Sequence, residues 1–310
     1  MRIVIPGGTG QVGEVLRRAF EQGGHEVFII SRGADTRRRG AVAWDGRTLG
    51  TWASCIDGAD VVINLAGRTV NCRYTEENLR QMMNSRTEST RVVGEAIALA
   101  KSPPRVWLQM STATIYAHRF DAPNDEATGI IGGSEPGVPA YWKRSIDIAT
   151  AWERALAEAN VPSTRRVALR TAMVMSADKG GVFDVLANMC RMGLGGPIGG
   201  GTQFVSWIHY RDFVRACEWL IAHDDFAGAV NLCVPGPLPQ REFMAVLRDA
   251  MSVPIGLPAT KWMAEIGAWV LQTDTELLLK SRYVVPTRLR EAGFTFDFAS
   301  WRAAAADLAR

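Results

Sequence analysis

The strongest constraint on the fold of this chain is a glycine-rich turn close to its start. Ile3, Val4 and Ile5 form a short apolar run, which is typical of a strand buried on both faces. The sequence GGTGQVG follows at residues 7–13, and residues 14–21 then carry apolar side chains at helical spacing. This order brings unpaired N–H groups and the positive end of a helix dipole to one point. Such a point binds phosphate, so the stretch predicts a dinucleotide-binding turn.

Beyond this turn, short apolar runs alternate with helical patterns at about the spacing of βαβ units. The alternation predicts an α/β fold, with a Rossmann-type doubly wound parallel sheet. The predicted strands after the first cover residues 25–30, 41–44, 59–65, 105–110 and 163–169, and the two strongest helices cover 75–100 and 141–159.

The character of the sequence changes after Arg170, where a glycine-rich loop and proline-interrupted helical patterns follow. We expect residues 1–170 to form the dinucleotide-binding domain, whose core also recruits parts of 203–235. Residues 171–310 should form a smaller α+β substrate lobe that ends in a helical module at 253–310. The lobe should cover the carboxyl edge of the sheet, where open α/β sheets bind ligands.

Composition excludes several classes of protein. The net charge of +3 is small, and no basic patch or amphipathic surface indicates a nucleic-acid or membrane partner. No run of about eighteen apolar residues indicates a transmembrane helix, and no signal-peptide pattern precedes the first strand. The five cysteines are scattered without a Cys-x-x-Cys pair. They predict no metal site and no disulfide frame, and favour reduced thiols in the cytoplasm.

The end of the second predicted strand indicates which dinucleotide is bound. In NAD sites an acidic residue usually stands there and accepts hydrogen bonds from the ribose hydroxyls. In this chain Ser31 and Arg32 occupy the place, and a guanidinium suits a 2′-phosphate through charge-assisted hydrogen bonds. Arg37, Arg38 and Arg39 either add to this positive field or form a solvated loop. The sequence predicts NADP(H), with NAD(H) less favoured.

A set of motifs falls in the order found in one family. They are GGTGQVG at 7–13, NLAG at 64–67, STATIY at 111–116, VALR at 167–170, GGPIG at 195–199, SWIHYRD at 206–212, GAVNL at 228–232, and tail segments at 253–258 and 285–294. The set resembles the extended (atypical) short-chain dehydrogenases/reductases, which form the NAD-dependent epimerase/dehydratase family. Within it, the chain is similar to the epimerase-like branch with a C-terminal helical module. The resemblance spans essentially the whole chain and implies a nicotinamide cofactor.

The resemblance also implies a Ser/Thr–Tyr–Lys catalytic set. In that chemistry the tyrosine exchanges a proton with the substrate oxygen, and the lysine lowers the tyrosine pKa and holds the ribose. A free phenol, with a pKa near 10, is a poor base at neutral pH without a nearby cation. The motifs place Thr112 as the hydroxyl residue, or Ser111 if the register shifts by one, and Tyr141 as the tyrosine. The lysine position holds Ser145.

The replaced lysine leaves three interpretations open. In the first, Arg144 replaces it, because residues three apart on a helix share a face; Lys143 lies about 200° around the helix from Tyr141. In the second, the site catalyses another reaction, with Tyr141 or another group as the acid. In the third, the protein binds NADP(H) without turnover.

The expected cofactor contacts follow the carboxyl ends of the strands and the adjoining turns. Small residues after the fourth strand let the backbone approach the dinucleotide, and the segment after the sixth strand runs past the nicotinamide. An arginine in the long helix matches the branch pattern, although such residues usually face solvent. The predicted cofactor-binding residues are Gly7, Thr9, Gly10, Gln11, Val12, Gly13, Ser31, Arg32, Leu65, Ala66, Gly67, Arg86, Thr171 and Met173.

Together these features predict a cytoplasmic, NADP(H)-binding oxidoreductase- or epimerase-like protein that acts at a carbonyl or alcohol centre of a small or sugar-like substrate. The alternative is a non-catalytic NADP(H)-binding sensor or regulator, which the serine at position 145 favours. Reduction, epimerisation and dehydration are not separated by the sequence. By analogy, the two long helices are candidate faces for a homodimer.

Overall fold

The centre of the molecule is a parallel sheet, which the computed structural model describes together with its surroundings over residues 1–33, 35, 40–260 and 274–310. Seven of the described strands form it, in the order β10-β6-β5-β4-β1-β2-β3, and all neighbouring pairs are parallel. The strands are β1 Arg2–Pro6, β2 Glu26–Ser31, β3 Ala41–Ala43, β4 Val61–Asn64, β5 Val106–Thr112, β6 Arg165–Thr171, β7 Met173–Met175, β8 Phe204–Val205, β9 Trp207–His209, β10 Gly228–Leu232 and β11 Leu238–Pro239. The order confirms the predicted doubly wound Rossmann-type sheet.

Helices cover both faces of this sheet. They are α1 Gln11–Gln22, α2 Glu76–Leu99, α3 Lys143–Ala157, α4 Val182–Arg191, α5 Tyr210–Ala222, α6 Gln240–Ala250, α7 Glu276–Leu279, α8 Thr287–Glu291 and α9 Trp301–Leu308. Alternate residues of β1 point to opposite faces, so Ile3 and Ile5 pack with α1 and α5, whereas Val4 packs with α2 and α3. All three side chains are fully buried, as expected for a parallel sheet between two helical layers.

A second apolar cluster forms the core of the smaller lobe. It joins α4, α6 and α9 to the short strands β7 and β9. Phe243 of α6 stacks on Trp301 of α9 with ring centroids 4.0 Å apart, and Trp301 donates from Nε1 to the Phe243 carbonyl at 2.8 Å. Trp207 packs against the same indole at 4.8 Å. β10 belongs to the second half of the chain by sequence, but it pairs with β6 in the central sheet. The lobe is therefore continuous with the sheet.

A segment at residues 274–285, which we call the bridging segment, connects the lobe to the carboxyl end of β5. Lys280 donates to the carbonyl of Thr114 at 2.8 Å, and the Arg282 Nε donates to the hydroxyl of the same threonine at 3.0 Å. The Ser281 amide donates to His118 Nδ1 at 2.8 Å. These polar contacts hold residues from near the end of the chain beside the loop that follows β5.

The structure differs from the sequence prediction at the start of α3. The prediction began one helix at residue 141, whereas residues 140–142 form a 3₁₀ turn and the α-helix begins at Lys143. A 3₁₀ turn advances by about 120° per residue and an α-helix by about 100°. Tyr141 therefore does not keep the i, i+4 register with Ser145 that a continuous α-helix would give.

His209 lies between α5 and α9, and its buried ring is expected to make the stability of the protein sensitive to pH. The ring is fully buried, caps α5 by accepting from the Arg211 amide at 3.2 Å, and stacks on Phe298. Its Nε2 lies 3.3 Å from Asp307, yet burial outweighs the nearby carboxylates and lowers the pKa of His209.

Since the unfolded chain binds this proton more tightly, the free energy of unfolding is expected to fall as the pH drops through about 6.5. His209→Asn keeps a residue that can cap the helix and removes the titrating ring. Chemical denaturation at several pH values should give the variant a shallower pH dependence above the range where carboxylates titrate. Equal slopes for the two proteins would contradict this account.

None of the helices within the described ranges is long and apolar enough to cross a membrane.

Candidate functional site

A cleft runs along the carboxyl ends of the central strands, where the strand order reverses between β1 and β4. Open α/β sheets bind ligands at such a switch point. The cleft has two connected parts. The outer cavity, of about 710 Å³, lies beside the end of β2 and is lined by Ser31 and Arg32. The inner cavity, of about 420 Å³, lies beside the ends of β5 and β6 and is lined by Thr112 and Thr171. Both cavities share Gly7, Gly10, Leu65 and Gly67.

The glycine turn has the shape that a pyrophosphate site requires. Gly7 has φ of +76°, and a Cβ there would lie 2.5 Å from the backbone of Ala66. A Cβ on Gly13 would lie 2.3 Å from the carbonyl oxygen of Gly8, so this glycine lets α1 pack against the turn. Gly10 caps α1 without a side-chain hydrogen bond, and a Cβ there would meet no atom within 4 Å. The helix therefore presents its first N–H groups to open space in the cleft.

The outer cavity offers a hydroxyl and a guanidinium at the end of β2. Ser31 is buried, and its Oγ has no hydrogen-bond partner among the described residues, which suits a ligand oxygen in the cavity. Arg32 is exposed at the rim. Asp45 also lines this cavity, but Thr48 holds its carboxylate by side-chain and backbone hydrogen bonds, which lower the pKa of Asp45 to about 2. The other predicted arginines of this region, Arg37–Arg39, lie outside the described residues.

The predicted cofactor-binding residues lie along the two cavities. Those in the outer cavity also include Thr9 and Ala66. Residues that line the inner cavity are Gln11, Val12, Gly13, Arg86, Thr171 and Met173, besides the shared glycines and Leu65. Gln11 donates from Nε2 to Ser176 Oγ at 2.7 Å. This hydrogen bond connects the start of α1 to the residue directly after β7.

The hydroxyl candidates at the end of β5 have different surroundings. Both Ser111 and Thr112 line the inner cavity. Ser111 is buried and donates from Oγ to Glu153 at 2.6 Å, and the same carboxylate forms a two-pronged ion pair with Arg170. Thr112 Oγ1 accepts from the Thr114 amide at 3.1 Å, which leaves its proton available to a ligand. The geometry therefore favours Thr112 as the hydroxyl that meets a substrate.

Tyr141 and Arg144 lie outside the described lining of both cavities. Tyr141 is 43% exposed, and its hydroxyl is 2.9 Å from Thr275 Oγ1. Arg144 is exposed and lies 3.5 Å from Glu76. The 3₁₀ turn before α3 explains the placement of the tyrosine, so its predicted catalytic role has no support from the geometry.

A different tyrosine faces the inner cavity, from the loop before α2. Tyr74 lies within hydrogen-bonding range of Ser145, which lines the same cavity. Ser145 donates from Oγ to Glu276 Oε2, and Glu276 Oε1 lies 3.4 Å from the buried ammonium of Lys280. The bridging segment thus places a carboxylate and a lysine behind the position where the family pattern has a lysine on α3.

Burial changes the pKa values of Tyr74, Glu276 and Lys280. Burial and the carboxylates of Glu276 and Asp274 raise the pKa of Tyr74 above its usual value, so its phenol remains protonated at neutral pH. Burial raises the pKa of Glu276, and it lowers the pKa of Lys280 to about 8. The arrangement can donate a proton from Tyr74 into the cavity and can hold a replacement proton on the Glu276–Lys280 pair.

Comparison with known proteins identifies the family of this chain. Residues 3–233 match the NAD dependent epimerase/dehydratase family. The chain belongs to that family. Residues 259–308 match a domain of unknown function.

Among relatives in this family, the epimerase family protein SDR39U1 of Bos taurus is 31% identical over 306 residues, which are 96% of each chain. An epimerase family protein of Staphylococcus epidermidis is 30% identical over 99% of this chain and 98% of its own. The crystal structure of human epimerase family protein SDR39U1 (isoform2) with NADPH superposes with a TM-score of 0.86 at 27% identity. It covers 100% of this chain and 99% of that one.

Sequence reasoning missed Tyr74, Glu276 and Lys280. Glu276 is 131 residues from Ser145 along the chain, and no motif in the epimerase/dehydratase pattern connects the two. Tyr74 directly precedes the Thr75 N-cap of α2, a position that predicts a helix start and gives no indication of catalysis. The only available signal was the i, i+4 spacing of Glu276 and Lys280, which is common on helix surfaces.

Proposed function

We propose that this member of the epimerase/dehydratase family binds NADP(H) and acts as an oxidoreductase or epimerase at a carbonyl or alcohol centre of a small or sugar-like substrate. The observation that carries the proposal is the position of Tyr74, whose side chain lines the same cavity as the glycine turn and Thr112. The NADPH in the human relative supports the choice of cofactor.

In this proposal the dinucleotide lies along the cleft, with its adenosine half in the outer cavity. The first turn of α1 and the bare backbone of Gly10 hold the pyrophosphate. Ser31 and Arg32 bind the adenosine ribose and its 2′-phosphate. Thr171 and Met173 line the inner cavity beside the nicotinamide. When bound, the cofactor supplies or accepts the hydride.

The residues of the inner cavity handle the proton. Thr112 and Tyr74 donate hydrogen bonds to the substrate carbonyl oxygen, and Tyr74 gives it a proton as the carbonyl carbon gains hydride. Reprotonation of Tyr74 requires the Ser145 hydroxyl, which here donates to Glu276, to reverse its direction: Ser145 then gives its proton to Tyr74 and accepts one from the Glu276–Lys280 pair. The phenol of Tyr74 is neutral at neutral pH and therefore carries the proton that is donated, and its raised pKa makes it a weaker acid than a free phenol. The usual arrangement differs, since there a lysine lowers the tyrosine pKa.

A panel assay with purified protein tests this function. NADPH absorbance is followed with quinones, aldehydes and keto sugars, and products are identified by mass spectrometry. Carbonyl-dependent NADPH oxidation with formation of the matching alcohol supports an oxidoreductase. Ser145 favours the alternative, a sensor that binds NADP(H) without turnover. Tight NADPH binding with no oxidation on any probe would support that alternative and contradict the catalytic proposal.

Arg32→Gln is expected to weaken NADPH binding by about 10- to 100-fold and to leave NADH binding within about twofold, since only the 2′-phosphate needs the guanidinium. Calorimetric titration of both cofactors measures the two dissociation constants. Arg47→Gln is a matched control, because Arg47 lines the same cavity but is paired with Glu88 at 3.1 Å. Equal losses for NADPH and NADH in Arg32→Gln would contradict the assignment.

The remaining organisation is also proposed. Residues 1–170 with β10 act as the cofactor-binding domain, and residues 171–310 act as the substrate lobe. The described cysteines are all free, and four are buried, which supports a reducing compartment such as the cytoplasm. A homodimer through α2 and α3 is consistent with the groove of about 450 Å³ between their outer faces.

A further inference from the structure

Arg86 is a buried cation in the wall of the inner cavity. It belongs to α2, and only 9% of its surface is exposed. Its two terminal nitrogens donate to the carbonyls of Met82 at 3.0 Å and Arg68 at 3.1 Å. The guanidinium lies 5.0 Å from the ring of Trp152 on α3. These contacts fix the plane of the group and orient it between the two helices.

The charge of this arginine has no counterion in the described part of the protein. No described carboxylate lies within salt-bridge distance of it, and its hydrogen-bond acceptors are neutral carbonyls. Burial lowers the pKa of Arg86 to about 10, so the group remains protonated at neutral pH. A buried charge without a counterion is costly, and protein structures normally pair such charges or bind an anion beside them. The cavity that Arg86 faces is the place for that anion.

Other cations also lie near the position of the absent lysine. Arg282 is partly buried beside Glu276, donates to the Thr114 hydroxyl and to backbone carbonyls, and lies outside the described lining of the inner cavity. Arg144 is exposed and directed at Glu76. Lys280 donates to the Thr114 carbonyl, is paired with Glu276, and lies outside the described lining of the inner cavity. Of these four cations, Arg86 alone lies in the described wall of the inner cavity, and it has no carboxylate within salt-bridge distance among the described residues.

The position of Arg86 relates it to the nicotinamide half of a dinucleotide. Ser145, Ala149 and Trp152 lie along one face of α3 and line the inner cavity, and Arg86 stacks at the Trp152 end of that face. Arg86 does not line the outer cavity, where Ser31 and Arg32 are. Arg86 from α2 and Ser145 from α3 therefore line the same cavity, with the guanidinium about two helical turns from position 145.

We propose that Arg86 binds the oxygens of the nicotinamide half of NADP(H), at the ribose and its adjoining phosphate, and so supplies the cation that Ser145 does not. The inference rests on the proposed cofactor. Arg86 is a cofactor-binding residue in this account, and the proton chemistry remains with Tyr74, Ser145 and Glu276. The family's lysine function is thereby divided between two elements of the chain.

Binding measurements with a whole cofactor and a fragment test this division. NADPH carries both halves, whereas adenosine 2′,5′-bisphosphate lacks the nicotinamide ribose and its phosphate. Arg86→Gln is expected to weaken NADPH binding by about 10- to 100-fold and to leave the fragment within about twofold. Arg86→Lys, which keeps the charge, should recover part of the NADPH affinity. Arg32→Gln serves as the opposite control, because it should weaken both ligands.

Each outcome decides the proposal. Equal losses for NADPH and the fragment in Arg86→Gln would assign a structural role and overturn it, as would no loss for either. If Arg86→Gln fails to fold, Arg86→Lys provides the test through the ratio of the dissociation constants for NADPH and the fragment. Selective weakening of NADPH binding supports the contact, and a ratio equal to the wild-type value overturns it. Wild-type protein that binds neither ligand would overturn the proposed cofactor together with this inference. If the wild-type protein binds both ligands and the ratio of the two dissociation constants is unchanged in the variants, the inference alone would be overturned.

Discussion

Tyr74→Phe is expected to lower the kcat of NADPH-dependent carbonyl reduction by about 10²- to 10⁴-fold, the usual contribution of a positioned acid. The change removes one hydroxyl and keeps the ring that lines the inner cavity. NADPH affinity should therefore remain within about twofold. The measurement is steady-state kinetics on the best carbonyl probe, together with a calorimetric titration of NADPH.

Tyr141→Phe is the matched control for this experiment. The family motif assigns the proton to Tyr141, whereas its hydroxyl is exposed and bonded to Thr275. We expect the kcat of this variant to stay within about twofold of the wild-type value, because the hydroxyl does not line the cavity. A large loss in Tyr141→Phe with full activity in Tyr74→Phe would return the catalytic role to the motif tyrosine and reject the proton path through Ser145.

Gly13→Ala is expected to abolish measurable NADPH binding and to destabilise the fold by about 1–3 kcal/mol or more. The added Cβ would lie 2.3 Å from the carbonyl oxygen of Gly8 and 2.4 Å from its Cα. Both atoms are backbone, so relief requires α1 to move away from the turn that holds the pyrophosphate. Chemical denaturation measures the stability, and calorimetry measures the binding.

Gly10→Ala separates the two effects. Its Cβ would meet no atom within 4 Å, and its φ of −79° suits any residue, so the loss of stability should stay near the cost of alanine at an N-cap, about 1 kcal/mol. Binding should still fall, because the methyl group occupies the space that the pyrophosphate approaches. Unchanged NADPH affinity in Gly10→Ala would show that the dinucleotide does not lie against this turn.

The features that local sequence could predict are those whose causes are local. A buried strand, a glycine turn and a helix are consecutive, so residues 7–13 predict both their own shape and their place at the edge of the sheet. The start of α2 at the predicted position is equally local, because Thr75 caps the helix and its hydroxyl accepts from the Asn78 amide at 3.2 Å. The arginine after β2 was placed at the cavity rim by the same reasoning.

The features that sequence could not predict depend on distant contacts or on one turn of backbone. A 3₁₀ turn at residues 140–142 changes the direction of the Tyr141 side chain, although the same residues are compatible with an α-helix. Glu276 reaches Ser145 only because the bridging segment docks beside β5. Such pairings depend on tertiary packing, which periodicity does not encode.

The bridging segment has a consequence for how the protein matures during synthesis. β1 and the glycine turn are translated well before Glu276, Lys280 and Arg282. These late residues form the wall behind Ser145, so a nascent or prematurely terminated chain that ends before residue 274 lacks the acid–base pair of the inner cavity. In the proposed mechanism, translation of residues 276–280 is thus the step at which the cleft acquires its proton reservoir.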